Sequence, residues 1–259
     1  MFSRLEHGWR IVGSAIGFSI FGLGGLAVSL TVFPFIALLI WEPRKRQAAA
    51  RWVIMILFRA FARLLWAMRT LDLEYRHVER LKKCSGTMVI ANHPTLIDII
   101  LIISVLPNAQ CIVKHQLFRN PFLGLVVRAA GYIRNDDDPE KLMEDCVESL
   151  KKGENLVIFP EGTRTRFNRD NRFQRGFANV ALRAGADVQR ISIQCEPMML
   201  AKNMGWHDLP ETRPKYTLIV GEQLDVAPYL EYRSMAIGAR RLTTFLEEFY
   251  AENLLYARF

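Results

Sequence analysis

The sequence predicts an α/β fold, with a mostly parallel central sheet flanked by helices and an apolar helical segment ahead of it. Three features of the chain point there. From about residue 71 onward, short apolar runs of strand length alternate with longer stretches of helical periodicity. Two of those runs, residues 87–91 and 155–159, end in polar loops, which is how a parallel sheet presents reactive groups at its carboxyl edge. Residues 11–41 contain no charged side chain at all.

Taken in order, that uncharged stretch comes first. As one helix it would be about 45 Å long, against a hydrocarbon core of about 30 Å. It is too long for a signal peptide, and no small-residue cleavage site precedes the basic stretch that ends it. Gly22, Gly24 and Gly25 fall in its middle and Pro34 follows. Either a strongly tilted span or two short helices dipping into one leaflet is expected. The flank Arg44, Lys45, Arg46 and Arg51 outweighs Arg4 and Arg10, which places the rest of the chain on the cytoplasmic side of an inner membrane or its equivalent. Over residues 47–70, Arg51, Arg59, Arg63 and Arg69 alternate with apolar residues that include Trp52 and Trp66. This reads as a helix in the head-group layer, with an amphipathic core helix as its rival.

The expected elements then run as follows: a strand at 71–78, a buried strand at 87–91, a helix at 96–106 and a strand at 109–113. Helices follow near 122–130 and 140–151, a strand at 155–159, a helix at 177–186, strands at 188–195 and 216–220, and a closing helix over 232–255. Asp136, Asp137, Asp138 and Pro139 read as the cap and first turn of the 140–151 helix, since a metal site there would lack histidine support. No internal repeat or low-complexity linker is present.

The chemistry sits in the loops. After the first buried strand comes Asn92-His93-Pro94-Thr95-Leu96-Ile97-Asp98. Imidazole takes and returns a proton near neutral pH, and a neighbouring carboxylate fixes its tautomer and steadies the imidazolium. Inside one helix, five positions would turn Asp98 about 140° away from His93. His93 is therefore expected just outside the helix start, with Pro94 in the first turn, so that the ring folds back toward Asp98.

After the second strand comes Phe159-Pro160-Glu161-Gly162-Thr163-Arg164. Glycine permits a tight path, threonine offers a hydroxyl, and arginine offers a fork of donors suited to phosphate. Glu161 is expected to orient Arg164 or a substrate hydroxyl. Five arginines lie between positions 164 and 175 in irregular spacing, which suggests a basic loop rather than a helical stripe.

Composition narrows the choices. With 259 residues there is room for one sizeable core and an appendage, not two full domains. A net charge of +8 suits an anionic partner, and an apolar content of 51% favours a membrane over nucleic acid. The arginine loop offers only Phe167 and Phe173 as stacking platforms and no docking motif, so nucleic-acid binding is not expected. Cys84, Cys111, Cys146 and Cys195 are far apart and read as reduced thiols, without a zinc site or disulfide framework.

The two loops together resemble the first and third sequence blocks of the glycerolipid acyltransferases, the family of 1-acylglycerol-3-phosphate acyltransferases. Lys114-His115-Gln116-Leu117-Phe118 with Pro121, Gly124 and Gly131-Tyr132-Ile133-Arg134 is similar to the second block, and residues 191–197 loosely match the fourth. The resemblance covers roughly residues 71–225. Tyr132-Ile133-Arg134 lacks the acid often found before that arginine, and Cys195-Glu196 replaces small or apolar residues, departures that bear on the acceptor lipid.

The resemblance implies a catalytic domain at 71–259 behind a membrane-anchoring helical region at 1–70. It implies His93 as general base, held by Asp98, and an acceptor phosphate held by Glu161, Gly162, Thr163 and Arg164 with Arg134 and Lys114. The acceptor would be a lysophospholipid, the donor acyl-CoA or acyl carrier protein as co-substrate, with no cofactor and no metal. Two rival classes stand beside it. A metallohydrolase would draw on His93, Asp98, Glu161 and His207-Asp208, and a non-catalytic module would only bind membrane.

Overall fold

The computed structural model describes residues 2–135, 138–165 and 172–253. Its N-terminal part is three helices, α1 (Phe2–Leu30), α2 (Val32–Leu39) and α3 (Pro43–Ala67). The three mid-segment glycines do not interrupt α1. The break falls instead at Thr31, because Pro34 has no N–H to give the carbonyl of Leu30 one turn earlier.

One face of α1 is docked on the rest of the protein along most of its length. His7 Nδ1 and the buried Arg10 guanidinium meet the Pro210 carbonyl, Ser14 Oγ donates to Trp206 O, and Trp9 Nε1 donates to Met68 O. Phe21 packs against Phe58 and Phe61. At Gly25 a side chain would run into Phe122 and Leu123. The opposite face shows Leu5, Val12, Ile20, Leu23 and Leu30 to the outside.

Helix α3 is amphipathic. Ala50, Ile54, Ala62 and Leu65 face the core, while Trp52 and Trp66 stay more than half exposed. Arg51, counted above in the basic flank, is instead 2% exposed. It pairs with Glu154 at 2.7 Å and donates to Ala130 O and Asn108 Oδ1. Arg10 is buried too, so the flank reduces to Arg44, Lys45 and Arg46.

The sheet contains β1 (Asp72–Arg76), β2 (Met88–Ala91), β3 (Ala109–Lys114), β4 (Ile133–Asn135), β5 (Asn155–Ile158), β6 (Val188–Glu196) and β7 (Lys215–Leu224). Their order is β1-β7-β6-β2-β5-β3-β4, and every neighbouring pair is parallel except β6 with β7. Helices α4 (Asp98–Ile103), α5 (Gly124–Ala129), α6 (Pro139–Lys151), α7 (Gly176–Ala184), α8 (Ala227–Leu230) and α9 (Met235–Asn253) complete it. Alternation along β2 sends its side chains into two cores. Val89 and Ala91 join α3 and α4 through Ile54, Leu65 and Leu101, and Phe33 of α2 belongs to the same cluster. Met88 and Ile90 join α7 and α9 through Phe177, Ala181, Leu242 and Leu246.

Several boundaries differ from expectation: the first helix after β2 is Asp98–Ile103 rather than 96–106, the first strand is Asp72–Arg76 rather than 71–78, and the strand expected at 216–220 runs over Lys215–Leu224. Strand β4 was not expected, because three residues are too few to show a period. Asp138 caps α6 as expected, accepting from Glu140 N and Lys141 N at 3.1 Å each, while Asp136 and Asp137 lie outside the described residues. For the site, the decisive feature is that β2 and β5 are adjacent and in register, Ile90 beside Ile158. Both polar loops therefore leave the same edge side by side.

Candidate active site

Where β2 ends, the Asn92 side chain takes over the ladder. Its Nδ2 donates to Ile193 O and its Oδ1 accepts from Ile193 N, both at 2.8 Å. The next residue is clamped through its backbone. His93 N–H is shared between Glu161 Oε1 at 3.1 Å and Thr165 Oγ1 at 3.3 Å, and its carbonyl accepts from Thr165 N at 2.7 Å. The ring stacks on Phe159, with centroids 4.0 Å apart and planes 16° from parallel. Ring and backbone are both held by residues of the segment that follows β5.

His93 Nδ1 lies 2.8 Å from Asp98 Oδ2. Asp98 is fully buried and also accepts from Thr95 N at 2.7 Å and Thr95 Oγ1 at 2.5 Å. Thr95 and Asp98 thus form a Thr-x-x-Asp clasp like a capping box at the start of α4. A carboxylate surrounded by donors fixes the proton of His93 on Nδ1, leaving Nε2 as the acceptor. Burial pushes the Asp98 carboxyl above the ordinary carboxylate range, and the hydrogen bonds from His93 and Thr95 pull it back part of the way. Pro94 sits in the loop, four residues before the helix, and not in its first turn.

In the second loop, Gly162 takes φ +67°, and a side chain there would collide with Gln174. Arg164 Nη1 donates to Leu200 O at 3.0 Å and Ala201 O at 2.9 Å. Thr163 Oγ1 accepts from Lys202 Nζ at 2.9 Å. Glu161 does not orient Arg164. Its Oε1 serves His93 N and Thr165 Oγ1, the latter at 2.8 Å, and its Oε2 is buried without a partner among the described residues. Burial raises its pKa above 4.5, against the hydrogen bonds from Thr165 and His93.

Lys114 ends β3 and Arg134 stands on β4, both exposed on the edge that carries the two loops, two and three strands away from β2. His207 and Asp208 form an exposed pair at 3.4 Å. Among the described residues no three His, Cys, Asp or Glu side chains cluster as metal ligands would. Of the arginine loop, Arg166 and Arg169 lie outside the described residues, and Arg172 and Arg175 are exposed.

Sequence reasoning missed Asn92, Thr95, Thr165 and Lys202. The Thr95-x-x-Asp98 spacing was a readable signal for one of them. Nothing in the chain announced Lys202, which arrives from beyond β6. Behind the His93 loop, between α1, α3, α4 and the sheet, lies a cavity of about 340 Å³. Its wall is almost wholly apolar, from Leu96, Ile97 and Leu200 near the loop to Val127 and Tyr132 beside α5.

The family model described as Acyltransferase matches residues 72–194. The chain is 27% identical to the 1-acyl-sn-glycerol-3-phosphate acyltransferase LPAT1 of Arabidopsis thaliana chloroplasts, over 62% of this chain and 44% of that protein. It is 30% identical to the 1-acyl-sn-glycerol-3-phosphate acyltransferase of Helicobacter pylori, over 45% and 49%. With a lyso-ornithine lipid O-acyltransferase of Pseudomonas aeruginosa it shares 32% identity over 40% and 41%. The chain thus spans less than half the length of these relatives. Its fold is that of the crystal structure of the 1-acyl-sn-glycerophosphate acyltransferase PlsC from Thermotoga maritima, with a TM-score of 0.70 at 20% identity over 98% of this chain and 100% of that one. Residues 72–194, just under half of the chain, are thus similar to the acyltransferases that this model describes.

Proposed function

We propose that this protein is a membrane-associated acyltransferase that moves a fatty acyl group from an acyl thioester, on CoA or acyl carrier protein, to the free hydroxyl of a lysophospholipid. The acceptor that fits best is 1-acylglycerol-3-phosphate, giving phosphatidic acid. The observation that carries the reading is the His93–Asp98 contact at 2.8 Å, with Asp98 buried and saturated by donors.

In this mechanism Nε2 of His93 takes the proton of the lipid hydroxyl as its oxygen attacks the thioester carbonyl, and Asp98 steadies the imidazolium. The C–S bond then breaks, and the thiolate regains the proton from His93. No covalent acyl-enzyme is needed, so the rate rests on holding two substrates in register. The apolar cavity accommodates the donor chain. Thr163, Arg164 and the backbone around Gly162 face the head group, with Lys114 and Arg134 further along the edge and Glu161 holding the His93 backbone in place.

A second acceptor class has a specific observation behind it. Nη1 of Arg164 is already engaged by two carbonyls, which leaves less of the guanidinium for a phosphate than a free arginine would offer. A lysolipid with a different head group, of the kind named for the Pseudomonas aeruginosa relative, is the alternative.

Residues 5–39 are long and apolar enough to cross a bilayer. A helix docked lengthwise on the protein, however, cannot run through to the far side without dragging that protein with it. We read α1 and α2 as lying in one leaflet, on the cytoplasmic side, with Arg44, Lys45 and Arg46 at the head groups. The test is acyl transfer by purified protein to a panel of lysolipids with and without phosphate. A preference for phosphate-bearing acceptors that weakens in Arg164→Ala supports the assignment, and equal turnover of phosphate-free acceptors by the unaltered protein contradicts it.

A further inference from the structure

Tyr132 is at odds with its surroundings. It lines the cavity among aliphatic side chains, yet its hydroxyl is buried without a hydrogen-bond partner among the described residues. Burial holds the phenol well above its ordinary pKa, so the hydroxyl is neutral and available as a donor. A hydroxyl removed from water and left unpaired costs about 1–3 kcal/mol. A phenylalanine would fill the same space without that cost. The neighbouring polar residues do not relieve it: Gln110 is engaged by Gly131 O and Glu154, and Arg51 by Ala130 O, Asn108 and Glu154.

Its position relative to the reacting centre follows from strand register. Cys111 pairs with Val157, which is level with Val89, and Tyr132 precedes by one residue the Ile133 that pairs with Ile112. Tyr132 is therefore four residues down the strand direction from His93 and three strands across. At about 3.3 Å per residue and about 4.8 Å per strand, that is roughly 13 Å along and 14 Å across the sheet. The cavity wall includes both Tyr132 and Leu96 and Ile97, which follow His93 in its loop.

Resting on the acyltransferase reading, we infer that the preferred acyl chain is not a plain hydrocarbon but carries an oxygen, as a hydroxyl or keto group, in the part of the chain far from the thioester, where Tyr132 Oη donates to it. The rest of the cavity wall would hold the aliphatic portion. An acyl chain with a polar oxygen near its distal end is thus the substrate class that satisfies the one orphaned hydroxyl of the cavity.

The test uses the full-length protein with a lysolipid acceptor and acyl-CoA donors of one chain length. One donor is saturated and unsubstituted, and the others carry a single hydroxyl at successive carbons toward the methyl end. The unaltered protein is expected to favour some distally hydroxylated chains over the plain one by about fivefold to tenfold in kcat/KM, the range of one neutral hydrogen bond. A hydroxyl close to the thioester is expected to give no gain. In Tyr132→Phe the distal ratio should fall to about one. The ratio is internal to each preparation, so partial loss of folded protein does not disturb it. A ratio of one or below at every position in the unaltered protein overturns the inference, as does a ratio retained in Tyr132→Phe. Absence of transfer from any donor to any lysolipid contradicts the acyltransferase reading itself.

Discussion

His93 is a residue held by its neighbours rather than by its own side chain alone. Thr165 grips both its N–H and its carbonyl, Phe159 supports the ring, and Asp98 fixes Nδ1. The cost falls on Glu161, a carboxylate buried to accept the His93 N–H. Because its folded pKa lies above 4.5, the folded protein keeps a proton that the unfolded chain has already released, and stability falls as pH rises through that window. Glu161→Gln keeps an oxygen for His93 N and removes the titration. Its thermal midpoint, measured against the parent, should therefore gain as pH rises from about 4 to about 7. A difference that does not change with pH contradicts the assignment. At this scale much of the geometry was legible. The imidazole, the acid and the glycine turn declare themselves by type and spacing. Thr165 and Lys202 do not, since a hydroxyl that braces a backbone and a lysine that meets Thr163 from a distant loop leave no local pattern.

Among the elements, α3 shows how a charged residue misleads. Arg51 sits in a sequence that reads as head-group contact, yet it enters the core to meet Glu154 beneath α5. Burial alone would raise the Glu154 pKa, but Ser149, Arg51 and Gln110 bring it below the ordinary value. Arg51→Ala is expected to destabilise the protein by about 3 kcal/mol by leaving that acid unpaired, and the double change Arg51→Met with Glu154→Leu to recover most of the loss, as read from denaturant midpoints. A loss under about 0.5 kcal/mol in the single variant would place Arg51 among ordinary surface residues. Strands β2 and β5 were visible because strands buried on both faces are uniformly apolar. The interruption at Thr31 was displaced from the glycines because a helix tolerates glycine at modest cost, whereas proline removes a hydrogen bond outright.

On the scale of the whole molecule, the α/β class could be read from alternation, but the strand order could not, and with it went the placement of Lys114 and Arg134 along the edge. The cavity was equally invisible, since it is bounded by side chains from α1, α3, α4, α5 and the strands at once. Its location ties the parts together: α1, the helix long and apolar enough to cross a bilayer, also walls the space behind the His93 loop. The most direct measurement is acyl transfer to 1-acylglycerol-3-phosphate by His93→Ala beside the unaltered protein, with membrane sedimentation of both recorded in parallel. A fall of at least about a hundredfold with sedimentation unchanged is the predicted result. Transfer within a few fold of the unaltered protein would contradict the role given to His93.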